Sequence, residues 1–349
     1  KRLAYLAPDE GVMNVWVRTV GEKDDRHVTK DRKAGIQIHL WSPDGKNIAY
    51  NQDNKTFVIP ATGGTPRLLE AEWGGYAPWS WTPDGGSVLV HGYLRAKNIY
   101  YIGRLGLYDE EPQVLRENAV QPSMSPDGKF LLFTTVKERR IADVWCRNIE
   151  TGEERLVAKS PDESTTAFKA FFSPDGEKIS YMFWDGYGHK LKVINRDGTD
   201  DREVQADPIQ LGGLYCWTND SESVLIAGQL HGIWSIWRIN ISGMGHTRMT
   251  PGSERERHVS LAPDGERFVF GRQQDLSRIA VVDIDSLKTF YPLELDVAAK
   301  CPSFSKDGNE LYFQALVNEQ WQIWKAPIDK AVSPRPIITV EAMSCSDPV

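Results

Sequence analysis

A short phrase of sequence recurs seven times along this chain, and it constrains the fold more than any other feature. In its full form a bulky apolar residue precedes Ser or Thr, Pro, Asp and Gly, as in Trp41–Gly45. Proline presets the first central position of a turn, Asp caps the local backbone, and Gly accepts the positive φ that ends the turn. The Ser, Thr or Ala that marks each copy lies at residues 42, 82, 125, 173, 218, 262 and 305. This marker residue therefore predicts one tight turn, the repeat turn, in every unit of about 43 residues.

Short apolar runs surround each repeat turn. After the turn at Ser125 come Lys129–Phe133, Asp143–Cys146 and Glu154–Val157, and another apolar run precedes the turn. Runs of this length, bounded by turn residues, are typical of β-strands. Four short antiparallel strands in a unit of about 43 residues predict an all-β fold in which each repeat is one blade of a β-propeller.

The two ends of the chain set the expected number of blades. Residues 1–31 contain three runs without a leading strand, and Glu341–Ser346 overlays the first strand of the preceding repeat. We therefore expect an eight-bladed β-propeller in which strands from both termini close the last blade, so that no open sheet edge remains. A seven-bladed ring with frayed ends is the alternative. The prediction is a single domain over residues 1–349, with blades beginning near residues 37, 77, 120, 168, 213, 257 and 300 and a final blade of residues 341–349 plus 1–31.

The repeated Ser-Pro-Asp-Gly-Lys turns with Ile-Ala-Tyr-like strands resemble the TolB-type (WD-like) β-propeller repeat along the whole chain. Leu3–Pro8 and Asn14–Val17 also resemble the propeller domains of prolyl-oligopeptidase-type serine peptidases. Those peptidases carry a hydrolase domain, and TolB carries an extra amino-terminal domain; neither is found in this sequence. The resemblance implies an extracytoplasmic location, periplasmic or secreted, although no signal sequence is visible at Lys1–Leu3.

Composition excludes several classes of partner. The formal net charge is −7, from 41 basic and 48 acidic side chains. This disfavours nucleic-acid binding, which needs a dominant basic surface, and a polybasic membrane anchor. The longest uncharged apolar stretch, Ser223–Trp237, is too short and too polar for membrane insertion. The four cysteines have no C-x-x-C spacing, so they are expected to be buried thiols rather than zinc or redox ligands; they are Cys146, Cys216, Cys301 and Cys345.

Aligning the first strands of the repeats assigns an environment to each position. The residue before the marker is bulky in seven copies and is expected to pack between blades; these residues are Trp41, Trp81, Met124, Phe172, Trp217, Leu261 and Phe304. Because side chains alternate along a strand, the residues two and four before the marker are expected to face a central channel. The ring four before the marker is Ile38, Pro78, Gln121, Lys169, Leu214, His258, Cys301 and Ala342.

One mouth of this channel is the first predicted binding site. Lys169, Arg257, His258 and Lys300 make it locally basic, and Gln121 lies in the same ring. We predict that this mouth binds a small anion or a carboxylate. A solvated channel entrance with no ligand is the alternative.

Aromatic residues on glycine-containing loops form the second predicted site. Trp73, Tyr76 and Trp79 lie in one such loop, Tyr187 lies in a second, and His231 lies in a third, shorter one. Exposed aromatic rings can stack on a sugar or anchor a protein partner. They can equally fold back and cover the blade edges, and the sequence leaves both possibilities open.

Signatures of enzymes are missing from the sequence. It contains no Gly-x-Ser-x-Gly elbow, no phosphate loop, no His-Glu-x-x-His and no calcium loop, and the seven histidines are scattered. We therefore expect no cofactor, no metal and no catalysis. The leading hypothesis is a scaffold that binds a protein or peptide through its loop-rich face and channel mouth, as a subunit of a larger complex. The alternatives are the substrate-gating propeller of a prolyl-oligopeptidase-type peptidase without its hydrolase domain, and a metal-assisted lyase or hydrolase of acidic oligosaccharides using His39, His258 and Gln121.

Overall fold

All regular secondary structure in the described part of the chain is antiparallel β-sheet. A computed structural model describes residues 2–30, 35–71, 76–108, 111–137, 140–160, 165–243, 245–252, 255–273, 281–282, 289–290, 299–305, 307–317, 320–328 and 334–338. These residues include no helix of the length and apolar character needed to cross a bilayer. Residue contacts divide the chain into two compact units, Lys1–Glu203 and Val204–Val349. The prediction of a single domain stays a prediction.

The first unit begins with a three-stranded sheet. It consists of β1 (Arg2–Asp9), β2 (Val12–Thr19) and β3 (Asp25–His27), in that order. Strands β1 and β2 pair along their whole length, with eight residues on each strand facing one another and no bulge. The three strands match the three runs expected at the amino terminus.

Four groups of four strands complete the first unit, and each is a simple meander in which consecutive strands pair. They are β4 (His39–Trp41), β5 (Asn47–Gln52), β6 (Lys55–Pro60) and β7 (Arg67–Leu69); β8 (Tyr76–Trp81), β9 (Ser87–Leu94), β10 (Ile99–Gly106) and β11 (Gln113–Glu117); β12 (Ala119–Met124), β13 (Phe130–Lys137), β14 (Arg140–Asn148) and β15 (Glu154–Ala158); β16 (Thr166–Phe172), β17 (Lys178–Trp184), β18 (His189–Asn195) and β19 (Arg202–Glu203). These groups confirm the four-stranded antiparallel repeat.

The second unit repeats the same pattern where it is described. Its strands are β20 (Gln210–Trp217), β21 (Ser223–Leu230), β22 (Ile233–Asn240) and β23 (His246–Arg248); β24 (Arg255–Leu261) with β25 (Phe268–Gln273); β26 (Val281–Val282) with β27 (Thr289–Phe290); and β28 (Ala299–Phe304), β29 (Glu310–Val317), β30 (Gln320–Pro327) and β31 (Arg335–Ile338). The closing strand expected at residues 341–346 lies outside the described residues. The number of blades therefore stays a prediction.

The repeat turn owes its geometry to one hydroxyl and one carboxylate. At Ser173 the hydroxyl donates to Oδ1 of Asp175 at 2.5 Å and accepts the backbone N–H of Lys178 at 2.9 Å. The same carboxylate oxygen accepts the N–H of Glu177 at 3.0 Å, and Gly176 ends the turn at φ 75°. The same hydroxyl-to-carboxylate bond recurs at Ser42–Asp44, Thr82–Asp84, Ser125–Asp127, Thr218–Asp220 and Ser305–Asp307.

The repeat turns lower the pKa values of their aspartate side chains. The donated hydroxyl bond is the main cause that lowers the carboxyl pKa in five copies, at Asp44, Asp84, Asp127, Asp220 and Asp307. The copy marked by Ala262 has no hydroxyl, yet it keeps the backbone bond from Gly265 N–H to the Ala262 carbonyl at 2.8 Å. The turn therefore forms without the hydroxyl, which adds hydrogen bonds to an existing backbone conformation.

Apolar side chains fill the space between neighbouring groups. Tyr181 and Phe172 of the β16–β19 group pack with Leu132 and Val144 of the β12–β15 group in one buried cluster. The expected packing of the residue before the marker is confirmed at the buried side chains of Trp81, Phe172 and Trp217. It is wrong at Phe304, which is 55% exposed and whose expected neighbouring strand lies outside the described residues. Of the cysteines, Cys146 is a buried free thiol and Cys216 a half-buried one.

A β-bulge interrupts the first strand of most groups. The strand register shifts at the same place, three or four residues before the marker, in β8, β12, β16, β24 and β28, and close to it in β20. At this place Gln121, Lys169 and His258 adopt φ values of 58°, 49° and 57°. A bulge changes the faces to which the flanking side chains point. The simple alternation used to align the channel residues therefore does not hold across this position.

Candidate functional site

Each first strand has two distinct ends, a turn end at the repeat turn and a bulge end at the opposite side. In the first unit the bulge ends of three consecutive groups bring together Trp79, His91, Gln121 and Lys169, which we call the bulge cluster. These residues lie on β8, β9, β12 and β16. Three of the four are residues that the sequence predicted, and His91 is the addition.

Gln121 holds the bulge cluster together. Its backbone N–H donates to Nδ1 of His91 at 3.4 Å. Its side-chain Oε1 accepts the backbone N–H of Lys169 at 2.9 Å and the hydroxyl of Thr134 at 3.3 Å. The positive φ of Gln121 turns the backbone donor toward one neighbouring group while the side chain reaches the other. One residue thus links three groups of strands.

His91 is a neutral imidazole at physiological pH. Burial lowers its pKa to about 4, because removal from water penalises the charged ring. Since Nδ1 accepts a hydrogen bond, the single proton lies on Nε2. The ring packs on Trp79, with 4.7 Å between ring centroids. His91 therefore acts as a fixed hydrogen-bonding and aromatic surface and carries no positive charge.

Lys169 supplies a half-buried cation beside the aromatic rings. Its ammonium lies 5.7 Å from the centroid of the Phe168 ring, and burial lowers its pKa. The centroids of the Phe168 and His189 rings lie 5.8 Å apart. The His189 ring packs edge-on against Trp184, with 5.0 Å between their centroids. Phe168, His189 and Trp184 form a continuous aromatic row that leads from the bulge cluster to the β17–β18 hairpin.

The tip of the β17–β18 hairpin presents Tyr187 to solvent. Its side chain is 97% exposed. Oδ1 of Asp185 accepts the N–H groups of Tyr187 at 2.9 Å and of Gly188 at 3.0 Å. These two bonds lower the pKa of the Asp185 carboxyl and fix the backbone of the tip. An exposed aromatic ring is therefore held on an ordered turn.

Two of the loop aromatics follow the alternative in which they fold back against the blades. Tyr76 is buried, so it does not present its ring to a ligand. Its hydroxyl donates to the Leu69 carbonyl at 2.7 Å and accepts the Ala71 N–H at 3.1 Å, which satisfies the polar end of a ring that fills the core. Trp79 is half-buried against His91. Trp73 lies outside the described residues.

The second unit carries its own candidate residues. The guanidinium of Arg257 lies 5.4 Å from the centroid of the Trp234 ring, and the adjacent His258 is exposed. His231 is exposed at the tip of the β21–β22 hairpin with φ 50°. Lys300 lies on β28, and its side chain is outside the described part of the structure. A single basic mouth that combines these residues with Lys169 stays a prediction.

Metal ligation and thiol chemistry find little support in the described residues. They contain no group of three His, Cys, Asp or Glu side chains that could hold a metal ion. His39, one of the histidines considered for a metal site, has Nε2 at 3.2 Å from the Ala4 carbonyl, and burial lowers its pKa. Burial raises the pKa of Cys146 and Cys216 to about 11. Both thiols are therefore protonated at neutral pH and poor nucleophiles.

Comparison with curated proteins finds relatives of parts of the chain. An uncharacterized protein of Agrobacterium fabrum is 23% identical over 180 residues, which cover 46% of this chain and 58% of that protein. The Tol-Pal system protein TolB of Anaeromyxobacter dehalogenans is 27% identical over 93 residues, which cover 27% of this chain and 20% of that protein. No protein-family model matches. The chain thus matches less than two thirds of the length of either relative.

Comparison with solved structures finds the fold in proteins with different activities. Puromycin hydrolase superposes with a TM-score of 0.66 at 11% identity, over 90% of this chain and 56% of that chain. The manganese complex of oligogalacturonate lyase gives 0.61 at 14% identity, over 93% and 85%. TolB from Agrobacterium tumefaciens gives 0.52 at 15% identity, over 65% and 84%. The resemblance to TolB-type and prolyl-oligopeptidase-type β-propellers is therefore confirmed, and at these identities it shows the fold alone.

Proposed function

We propose that this chain is a non-catalytic binding module, an eight-bladed β-propeller that holds a protein or peptide partner at the bulge ends of its blades. The observation that carries the proposal is Tyr187, a ring that is 97% exposed on a hairpin tip fixed by two hydrogen bonds. An extracytoplasmic location is part of the proposal and rests on the resemblance to TolB-type repeats.

A preorganised aromatic ring suits the centre of a protein interface. Tyrosine buries a large surface and loses little side-chain freedom on binding, because it has only two rotatable side-chain bonds. The ordered backbone of the Asp185–Gly188 tip further reduces the entropy lost when a partner binds. The aromatic row behind the tip offers Trp184 and Phe168 as further contact surface. Interfaces depend on a few anchors of this kind.

Charge suggests the chemistry of the partner. Lys169 places a cation beside the aromatic row on a chain whose formal net charge is −7. A half-buried ammonium next to rings favours a partner with a carboxylate, since a charge-assisted hydrogen bond is strong where water is scarce. In the second unit we propose the same role for Arg257, His258 and Lys300. The proposed partner is therefore an acidic segment of a protein or peptide.

Catalytic functions are the alternatives to binding. Gating of a peptidase domain and cleavage of acidic oligosaccharides both belong to proteins of similar fold. No arrangement among the described side chains favours either activity over binding. The raised thiol pKa values and the lowered pKa of His91, which makes its ring a weak base, support a surface that binds without reacting.

A matched pair of tyrosines tests the proposal. Proteins captured from an extract of the source organism by the immobilised chain are identified, and the affinity of the purified partner is then measured for Tyr187→Ala and Tyr108→Ala. Tyr108 is also exposed, at 70%, but it follows β10 at the turn end. We expect Tyr187→Ala to weaken binding about tenfold or more, as for an interface anchor, and Tyr108→Ala to leave it unchanged. Equal affinities of wild type and Tyr187→Ala would refute the proposal.

A further inference from the structure

A cavity of about 910 Å³ lies at the side of the first unit. Two segments line it, the residues 26–30 at the end of β3 and after it, and the residues 50–66 of the β5–β7 meander. We call it the side cavity. It uses no residue of the bulge cluster and does not depend on the proposed function. Its volume falls in the range of pockets that hold small organic ligands.

The floor of the side cavity is apolar and aromatic. Tyr50 and Phe57 stack with 5.5 Å between their ring centroids and 16° between their planes. Val28 and Ile59 are buried in the same cluster and support these rings from below. Phe57 is half-buried whereas Tyr50 is buried behind it, so a flat aromatic or alicyclic group would replace water over the exposed face of Phe57. The floor therefore selects for an apolar body.

Cations lie along the rim. Arg26 reaches across the mouth, where its guanidinium donates to the Thr62 carbonyl at 3.0 Å, and Lys30 is exposed beside it. Against these two permanent cations, the described lining residues include one carboxylate, that of Asp53. A guanidinium offers five N–H donors in a rigid fork that suits a carboxylate. The rim therefore selects for an anion.

His27 also lines the cavity, but its ring is turned toward Trp16 and Asp9. Its ring stacks in parallel on Trp16 with 4.0 Å between centroids. Its Nε2 faces Oδ2 of Asp9 at 3.8 Å. His27 thus stiffens the wall of the cavity, while recognition of an anion falls to Arg26 and Lys30.

We infer that the side cavity binds a small amphipathic carboxylate whose apolar body lies on Phe57, which Tyr50 supports from behind, and whose carboxylate lies between Arg26 and Lys30. The side cavity combines an apolar floor with a basic rim. Each feature alone would bind weakly or without selectivity. Together they discriminate an anionic aromatic ligand from its neutral counterpart.

Calorimetric titration with two probes of equal shape tests the inference. Naphthalene-2-carboxylate carries the charge, and naphthalene-2-carboxamide does not. We expect the carboxylate to bind about tenfold more tightly, which corresponds to the loss of one charge-assisted hydrogen bond in the amide complex. In the Arg26→Gln/Lys30→Gln variant the two probes should bind equally.

A second double variant controls for net charge. Arg95→Gln/Lys129→Gln removes two exposed cations that do not line the side cavity, and it should keep the tenfold preference. Both double variants should melt at the temperature of the wild type, because they alter exposed side chains. The inference fails if the wild type binds both probes equally, if neither binds with a Kd below about 1 mM, or if Arg26→Gln/Lys30→Gln retains the preference.

Discussion

The two ends of the first strands obey different rules. At the turn end the same side-chain types make the same bonds in copy after copy, from Ser42 with Asp44 to Ser305 with Asp307. At the bulge end the backbone repeats, with positive φ in three copies, but the side chains are Gln121, Lys169 and His258. Repetition of side chains marks the part that builds the fold. Variation on a repeated backbone marks the part at which we propose that binding occurs.

The largest expected effect tests whether the turn end is structural. Trp217 and Phe304 occupy the same position before the marker, but Trp217 is buried and Phe304 is 55% exposed. Nε1 of Trp217 has no hydrogen-bond partner among the described residues, so truncation removes packing alone. We expect Trp217→Ala to lower the free energy of unfolding by about 3–5 kcal/mol and Phe304→Ala to lower it by less than about 1 kcal/mol. Urea unfolding of both variants measures the difference, and equal losses would contradict the assignment.

We expect the bulge end and the turn end to lose stability at different pH values. Burial lowers the pKa of His91 from 6.5 to about 4. The unfolded chain therefore binds a proton in this window that the folded chain does not, and stability falls as the pH falls from 6.5 toward 4. The turn aspartates also have lowered pKa values, so their contribution is present above the unfolded value of about 3.9 and is lost below it. The bulge end should therefore respond to acid before the turn end does.

Unfolding free energies measured from neutral pH to about pH 3 resolve these two windows. We expect His91→Gln to remove a loss of at most about 3 kcal/mol in the upper window. Asp127→Asn should reduce the loss of stability in the lower window by the share of one turn, because the hydroxyl of Ser125 lowers the pKa of that carboxyl, and it should leave the upper window unchanged. A His91→Gln profile identical to that of the wild type would show that the imidazole is not held neutral.

The smallest expected effect compares two copies of the turn itself. Ser173→Ala removes a hydroxyl that bonds Asp175 and Lys178, whereas Ala262→Ser adds one to the copy that lacks it. We expect the first change to destabilise by about 1 kcal/mol and the second to stabilise by up to the same amount. Thermal melting of both variants provides the measurement. Two changes of the same sign would mean that the hydroxyl does not act through the turn.

Much of this fold could be predicted because the same turn and strand pattern recurs several times in the sequence. The Pro-Asp-Gly phrase and the runs that follow it located the strands, and the groups β4–β7 to β16–β19 bear this out. The bulge was not predicted because neither Gln121 nor Lys169 is a residue type that indicates a positive φ. Both residues belong to types that adopt it infrequently.

The candidate site was predicted less completely than the fold. Gln121 and Lys169 were predicted from the repeat alignment and Trp79 as a loop aromatic, but His91 was not, because it lies on the second strand of its group. Cross-strand pairing of Ala77 with His91 would have pointed to it. For Tyr76 the sequence left exposure and burial open because the neighbouring glycines are typical of a loop, whereas the ring and its satisfied hydroxyl belong to the core.

The left-handed backbone at Gln121, Lys169 and His258 also limits which residues a repeat of this kind can present. Valine, isoleucine and threonine branch at Cβ and are poorly accommodated at such φ values, so the position admits long, unbranched or planar polar groups far more readily. At these three positions the backbone thereby favours side chains that can extend and form hydrogen bonds. Ile38, Pro78 and Leu214, at the same place in other repeats, do not have this positive φ. At the three positions that have it, we expect a single substitution among such side chains to leave the sheet beneath undisturbed.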